Sequence, residues 1–168
     1  MSLSPFDEPI SKEIDAVVES EDNNFAFLSS SIYPRSLFSI ESDFVERNPE
    51  KVRPYSKDAP FDEAKEIKLL TNDKAGKSGR ARWYIANRDV ITTGLNVLDD
   101  WKVIVSSANA GGQKRDNQIE VVDPNSAFGR ARIALRTFKT REEAYNFLKW
   151  CKTDLVRYTF LLTVFRAL

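Results

Sequence analysis

The sequence predicts an α+β fold: a twisted mixed β-sheet, a long C-terminal helix packed on it, and loops gathered at one edge. Three observations predict it. Short runs at 66–70, 81–85, 102–106, 118–122 and 131–138 place aliphatic or β-branched residues among Lys, Arg or Glu, as half-buried strands do. Turn-rich stretches separate these runs, and every glycine falls between Gly76 and Gly129. Near the C-terminus, Thr140-Arg141-Glu142-Glu143 has the form of a capping box. Ala144, Phe147, Leu148, Cys151, Leu155, Tyr158 and Leu162 follow it at three- and four-residue steps.

In chain order, Pro9 to Ser20 reads as a short acidic helix, with Ile10, Ile14, Val17 and Val18 at helical spacing. Phe25 to Ser31 and Ser36 to Ile40 are aromatic, serine-rich strand candidates interrupted by Pro34, and Glu46 to Pro60 is a proline-punctuated connection. Glu66 to Leu70 and Ala81 to Ile85 flank the turn-rich Asn72 to Gly79, which predicts a hairpin whose tip carries Lys74, Lys77 and Arg80. Lys102 to Ser106, Gln118 to Val122 and Ala131 to Phe138 are three further strands. They are separated by loops at Ala108 to Asn117 and Asp123 to Gly129. The helix that starts at about Arg141 is expected to run on through Leu162. An acidic N-terminal helix and connection, 1–24, is expected to precede a main domain spanning 25–168.

Composition removes several kinds of chemistry. The 168 residues contain no His and a single Cys, Cys151, so Ser-His-Asp and Cys-His catalysis, imidazole metal sites, zinc ribbons and intramolecular disulfides cannot be built. No apolar run is long enough to span a bilayer, and Met1-Ser2-Leu3-Ser4 lacks the features of a signal peptide, so a reducing cytoplasm is the expected location. The formal net charge of zero conceals an asymmetry. Residues 1–66 hold 15 acids and 7 bases, whereas residues 67–168 hold 10 acids and 18 bases. A basic half of this kind suits a polyanion surface, and solvated faces that cancel locally are the alternative.

Individual motifs weigh against catalysis. Gly76-Lys77-Ser78 ends like a phosphate loop, but Thr71 stands where the motif needs its first glycine and the expected sequel is a strand. Glu66-Ile67-Lys68 has the Glu-x-Lys ending of a Mg²⁺-dependent nuclease signature. Its upstream carboxylates, Asp58 and Asp62, lie closer in sequence than such sites usually require. A glycine-rich S-adenosylmethionine turn and an Asn/Asp-Pro-Pro-aromatic loop are both missing, since Asn48-Pro49 is followed by Glu50.

Recognition chemistry is richer. Between Ser106 and Arg136 lie Asn109, Gln113, Lys114, Arg115, Asn117, Gln118, Asn125, Arg130, Arg132 and Arg136, the side-chain types that serve phosphates and base edges. Alternation along a strand places Arg130, Arg132 and Arg136 on one face, an expected row of three guanidiniums. Lys77, Arg80, Lys114, Arg132 and Arg136 are the candidate phosphate contacts. Asn109, Gln113, Arg115, Asn117, Asn125 and Arg130 are the candidate base readers.

The run Trp101-Lys102-Val103-Ile104-Val105-Ser106-Ser107-Ala108-Asn109-Ala110-Gly111-Gly112 resembles a segment of the C-terminal target-recognition regions of adenine-specific DNA methyltransferases. These enzymes, of the type II or IIG kind, belong to bacterial restriction-modification systems. Ser126-Ala127-Phe128-Gly129-Arg130 and Phe138-Lys139-Thr140-Arg141-Glu142-Glu143-Ala144 are similar to later pieces of the same region, with likeness from about Phe25 to Thr163. Ala110 stands where glycine is more usual in that family.

The resemblance implies a domain with recognition loops at one sheet edge that selects a sequence in double-stranded DNA. An upstream methyltransferase domain or subunit, sometimes fused to an endonuclease, supplies catalysis on a flipped adenine. It implies S-adenosylmethionine in that catalytic part and no cofactor in this chain. The alternatives are a Mg²⁺ nuclease built on Glu66 and Lys68, and a non-catalytic protein-interaction module docked through its acidic first third.

Overall fold

The computed structural model describes residues 7–19, 28–107 and 119–158. Helix α1, Asp7–Glu19, fills the expected N-terminal position. The strands are β1 (Val52–Pro54), β2 (Glu66–Asn72), β3 (Ala81–Asn87), β4 (Trp101–Ser106), β5 (Ile119–Val122), β6 (Ser126–Phe128) and β7 (Arg132–Phe138). Helix α2, Phe44–Arg47, is a single turn, and α3 is Arg141–Cys151.

The fold is α+β, with the strands divided between two sheets. A mixed four-stranded sheet has the order β1-β3-β2-β6, and an antiparallel three-stranded sheet has the order β5-β4-β7. β2 and β3 form the expected hairpin, in register from Glu66 opposite Asn87 to Asn72 opposite Ala81. β6 is the strand that divides the sheet. The sequence reads as a loop there because three residues are too few to show alternation, yet Ser126, Ala127 and Phe128 are buried and pair parallel with β2. The chain thus leaves one sheet at Val122 and enters the other at Ser126.

Apolar alternation in β4 fills both of its faces. Val103 and Val105, with Ile119, Leu135, Ala144 and Cys151, form a core under α3. Ile104, with Val122 and Ala134, faces the other core, which gathers Ile67, Leu69, Tyr84, Ala127 and Phe128 from the four-stranded sheet. Leu37, Phe38 and Ile40 plug this second core, and the Phe38 ring meets the Phe128 ring edge-on with centroids 5.0 Å apart.

That plug corrects the strand expectation for 25–31 and 36–40. Residues 25–27 lie outside the described residues, Leu28–Ser31 is a 3₁₀ turn, and 35–38 is a turn. Ser39 has a left-handed φ of 53°, which breaks any strand there. Between these turns the Tyr33 N–H donates to the Ala134 carbonyl at 2.9 Å, covering the open edge of β7.

α3 begins as the sequence predicts. The Thr140 Oγ1 accepts the Glu143 N–H at 3.3 Å and the Glu143 carboxylate accepts the Thr140 N–H at 3.2 Å, a reciprocal cap that contributes about 1 kcal/mol. It ends earlier than expected. The Thr153 hydroxyl donates to the Trp150 carbonyl at 2.8 Å where the helix breaks, and residues 154–158 are helical again. Among the described residues no helix is long and apolar enough to cross a membrane.

Candidate nucleic-acid interface

The β2–β3 hairpin turn, residues 73–80, is held in a fixed shape. The Asp73 N–H donates to the Arg80 carbonyl at 2.9 Å, and the Arg80 N–H donates to the Asp73 carboxylate at 2.8 Å. That N–H foremost, with the Arg82 and Lys74 charges, holds the Asp73 carboxyl below its ordinary range against some desolvation. Gly76 has a φ of 80°, and a Cβ on Gly79 would fall 1.9 Å from the Lys74 carbonyl oxygen, so both positions of the turn require glycine. From α2, the Glu46 carboxylate accepts the Ala75 N–H at 3.0 Å. Lys74, Lys77, Ser78 and Arg80 are exposed on this scaffold. The Gly-Lys-Ser triplet therefore sits in a turn between antiparallel strands and opens no helix.

Other basic groups reach the same end of the molecule through topology. Because β6 runs parallel to β2, the residues that follow Phe128 emerge where β2 enters its turn. The Gly129 N–H donates to the Leu70 carbonyl at 2.9 Å, and the next residue is Arg130. β4 ends here too. The Ser107 hydroxyl and the Arg35 Nε–H donate to the Arg130 carbonyl at 3.1 and 3.3 Å. Ile119 pairs with Val105, so both ends of the 108–118 segment are anchored beside Arg130 and Arg132.

The expected row of three guanidiniums does not form. A β-bulge shifts the register: Ile104 pairs with Ala134 but Val103 pairs with Arg136, leaving Leu135 as the extra residue. Side chains beyond a bulge change face. Arg132 therefore lies on the side of the four-stranded sheet, whereas Arg136 lies on the α3 side with its guanidinium 5.6 Å from the Phe138 ring centroid. Arg132 is also enclosed, with 17% of its side chain exposed and its Nε 3.8 Å from Glu120. Burial raises the Glu120 pKa and the Arg132 charge opposes the rise. Arg130, in the turn before β7, keeps an exposed pair with Glu41 at 3.1 Å, the kind of contact that contributes little and exchanges readily for another anion.

Asn125 is engaged inside the protein. It has a left-handed φ of 54°, its amide donates to the Glu66 and Glu63 carbonyls, and its side-chain oxygen accepts from Arg88 at 2.8 Å. It shapes the β5–β6 crossover and has no free edge for a base. Asn109, Gln113, Lys114, Arg115 and Asn117 lie outside the described residues. Of the candidates within them, Lys77, Arg80, Arg130 and Arg132 are brought to one end of the molecule. Arg35 joins them without any local signal, since only the tertiary fold carries it to Arg130.

The opposite end differs in charge arrangement. Arg53 donates to both oxygens of the Glu66 carboxylate at 2.8 and 2.9 Å, and the Asp62 N–H donates to it as well. That N–H foremost, with Arg53, lowers the Glu66 pKa. Lys68 pairs with Asp123, Arg88 with Asp99, and Lys139 with Asp100. Glu66 also borders a cleft of about 350 Å³ with Arg53, Phe61, Asp62 and Lys65. Among the described residues no group of three or more His, Cys, Asp or Glu could hold a metal ion. With Glu66 clamped by arginine and Lys68 bound to Asp123, neither is placed as a nuclease site needs.

Comparison with known proteins gives no further guide. No family model, curated protein or solved structure matches this chain.

Proposed function

We propose that the chain is a sequence-specific, duplex-DNA recognition domain of a restriction-modification adenine-N6 DNA methyltransferase. The observation that carries the DNA part is the hairpin end: Lys74, Lys77 and Arg80 stand exposed on a rigid turn beside Arg130 and both anchors of the 108–118 segment. Among the described residues Lys74, Lys77 and Arg80 form no side-chain ion pair, and a cluster of like charges of this kind is favoured by a polyanion. The assignment to a methyltransferase rests on the resemblance of residues 101–112, 126–130 and 138–144 to that family. In this reading a separate domain or subunit binds S-adenosylmethionine and performs the transfer, and this chain contributes DNA selection.

The phosphate-binding set is Lys74, Lys77, Arg80 and Arg130, with Arg136 removed by its face and Arg132 reduced by enclosure. About four phosphate contacts give a slope of log affinity against log salt of roughly −3.6. Fluorescence anisotropy with a labelled mixed-sequence duplex measures it. Lys77→Ala with Arg80→Ala should flatten the slope by about 1.8. A wild-type affinity independent of salt, or no affinity at low salt, overturns the proposal.

A protein contact is the second reading, favoured by Trp150 and Leu155, which are 49% and 66% exposed near the C-terminal end of the described chain. A gain in thermal stability on adding the methyltransferase subunit, without DNA, would support it.

A further inference from the structure

We propose that the β2–β3 turn is itself a base-reading element: a two-stranded ribbon that enters the major groove of duplex DNA, with Lys77 and Ser78 at its apex against base edges. This rests on the DNA-binding reading and goes beyond it, because the basic turn then supplies specificity as well as charge.

The geometry of the sheet supports a projecting ribbon. β6 pairs with β2 from Lys68 to Leu70, with the Gly129 N–H making the last bond to the Leu70 carbonyl. On the other side β1 pairs with β3 from Ala86 to Tyr84, and the Tyr55 N–H makes the last bond to the Trp83 carbonyl. Past those points, among the described residues, β2 and β3 have no strand partner but each other, through Thr71 opposite Arg82 and Asn72 opposite Ala81. Thr71 is still packed against Gly129, so the ribbon stands clear of the β6 side from Asn72 onward, with Glu46 of α2 reaching the turn only at Ala75. The turn keeps one shape through the reciprocal Asp73–Arg80 bonds, the Gly79 N–H to Gly76 carbonyl bond at 3.1 Å, and the Glu46 brace. A preorganised projection loses little entropy on binding.

Size selects the groove. Two strands about 4.8 Å apart with their side chains fit a major groove about 12 Å wide and are too broad for a minor groove of about 6 Å. With the apex on the groove floor, Lys77 donates to guanine O6 or N7 and the Ser78 hydroxyl meets either kind of edge. Lys74 and Arg80, on the two arms of the turn, face the phosphate walls.

The test compares three duplexes of one mixed sequence: unmodified, with every cytosine replaced by glucosylated 5-hydroxymethylcytosine to fill the major groove, and unmodified but loaded with distamycin in its A·T minor grooves. The full chain should bind the first and third alike and the second at least roughly tenfold more weakly. Lys77→Ala with Ser78→Ala should weaken binding to the unmodified duplex and narrow the difference among sequences. Both residues are exposed, so the thermal midpoint should not move. Unchanged affinity for the glucosylated duplex, or displacement by distamycin, overturns the inference while leaving DNA binding in place. So does a double variant that binds as the wild type and is still blocked by glucosylation, since another element would then fill the groove. Failure to bind the unmodified duplex at all overturns the DNA reading itself.

Discussion

At the Glu66 end of β2, Arg53, Lys68, Arg88 and Lys139 each meet a carboxylate, whereas at the Asn72 end Lys74, Lys77 and Arg80 stand exposed on a turn whose own carboxylate, Asp73, is already bound by Arg80 and Arg82. The side-chain types are the same at the two ends. What differs is topology: parallel pairing of β6 with β2 brings Asn125 and Asp123 to the first end and Arg130 to the second. One end is neutralised within the protein, and the other keeps a surplus of positive charge. A composition count over the basic half cannot separate these two uses, because it registers Lys68 and Lys77 alike.

The largest expected effect at the neutralised end comes from Lys102, which has no solvent exposure and donates to the Leu98 and Asp100 carbonyls, each at 2.7 Å. Burial pushes its pKa down to about 8, against the counteracting charges of Asp100, Asp99 and Asp123. The ordinary value is 10.5, so between about pH 8 and 10.5 the unfolded chain holds the proton more often than the folded one. Stability therefore rises with pH across that window, by as much as ~3 kcal/mol. The neutral amine keeps two hydrogens for the two carbonyls, so deprotonation removes the cost of the buried charge without breaking either bond. Urea unfolding from pH 7.5 to 10 measures this, and Lys102→Met should flatten the rise. Parallel profiles for the two proteins would contradict it.

A smaller effect is expected at the seam that holds the hairpin end to the core. A Cβ on Gly129 would lie 2.7 Å from the Thr71 Oγ1, and Thr71 is 3% exposed, with no room to withdraw. Gly129→Ala should destabilise the fold by about 2 kcal/mol. Thr71→Ala in the same chain should recover part of that loss, a coupling visible in a double-mutant cycle of denaturation midpoints. Simple additivity would mean that the two residues do not press on each other.

The difference between the two ends also marks what local sequence could convey. β2, β3, β4, β5 and β7 were legible because alternation persists over four or more residues, and α3 was legible at its start because its cap is made within four residues. β1 and β6, of three residues each, leave no period to read. The division into two sheets depends on β6 and was hidden with it. Residues 36–40 have strand-like composition, but they form a turn whose Leu37, Phe38 and Ile40 are buried as a plug, a tertiary outcome that overrides propensity. At the site, the hairpin tip was visible in Lys74, Gly76, Lys77, Gly79 and Arg80. The row of guanidiniums failed because one bulge at Leu135 changes the face of Arg136. Asn125 failed because its Asn-type left-handed turn, not a ligand, accounts for the residue.

The smallest effect bears most directly on the comparison, because it substitutes one lysine at each end. Lys68 is 19% exposed in its side chain, pairs with Asp123, and has its ammonium 5.8 Å from the Tyr55 ring centroid. Asp123 also accepts from the Ser126 hydroxyl at 2.9 Å, so its carboxylate helps to fix the β5–β6 crossover. Lys68→Ala leaves that carboxylate short of its cation and should lower stability by about 1 kcal/mol, discounted from a fully buried pair because Asp123 is 42% exposed. Lys77→Ala removes an exposed side chain with no ion pair among the described residues and should change stability by less than about 0.5 kcal/mol. DNA affinity should respond in the reverse order, with Lys77→Ala weakening it and Lys68→Ala leaving it unchanged. If both lysines affect stability equally, or both affect DNA binding equally, the two ends do not divide structural from binding charge, and the interface must be sought elsewhere.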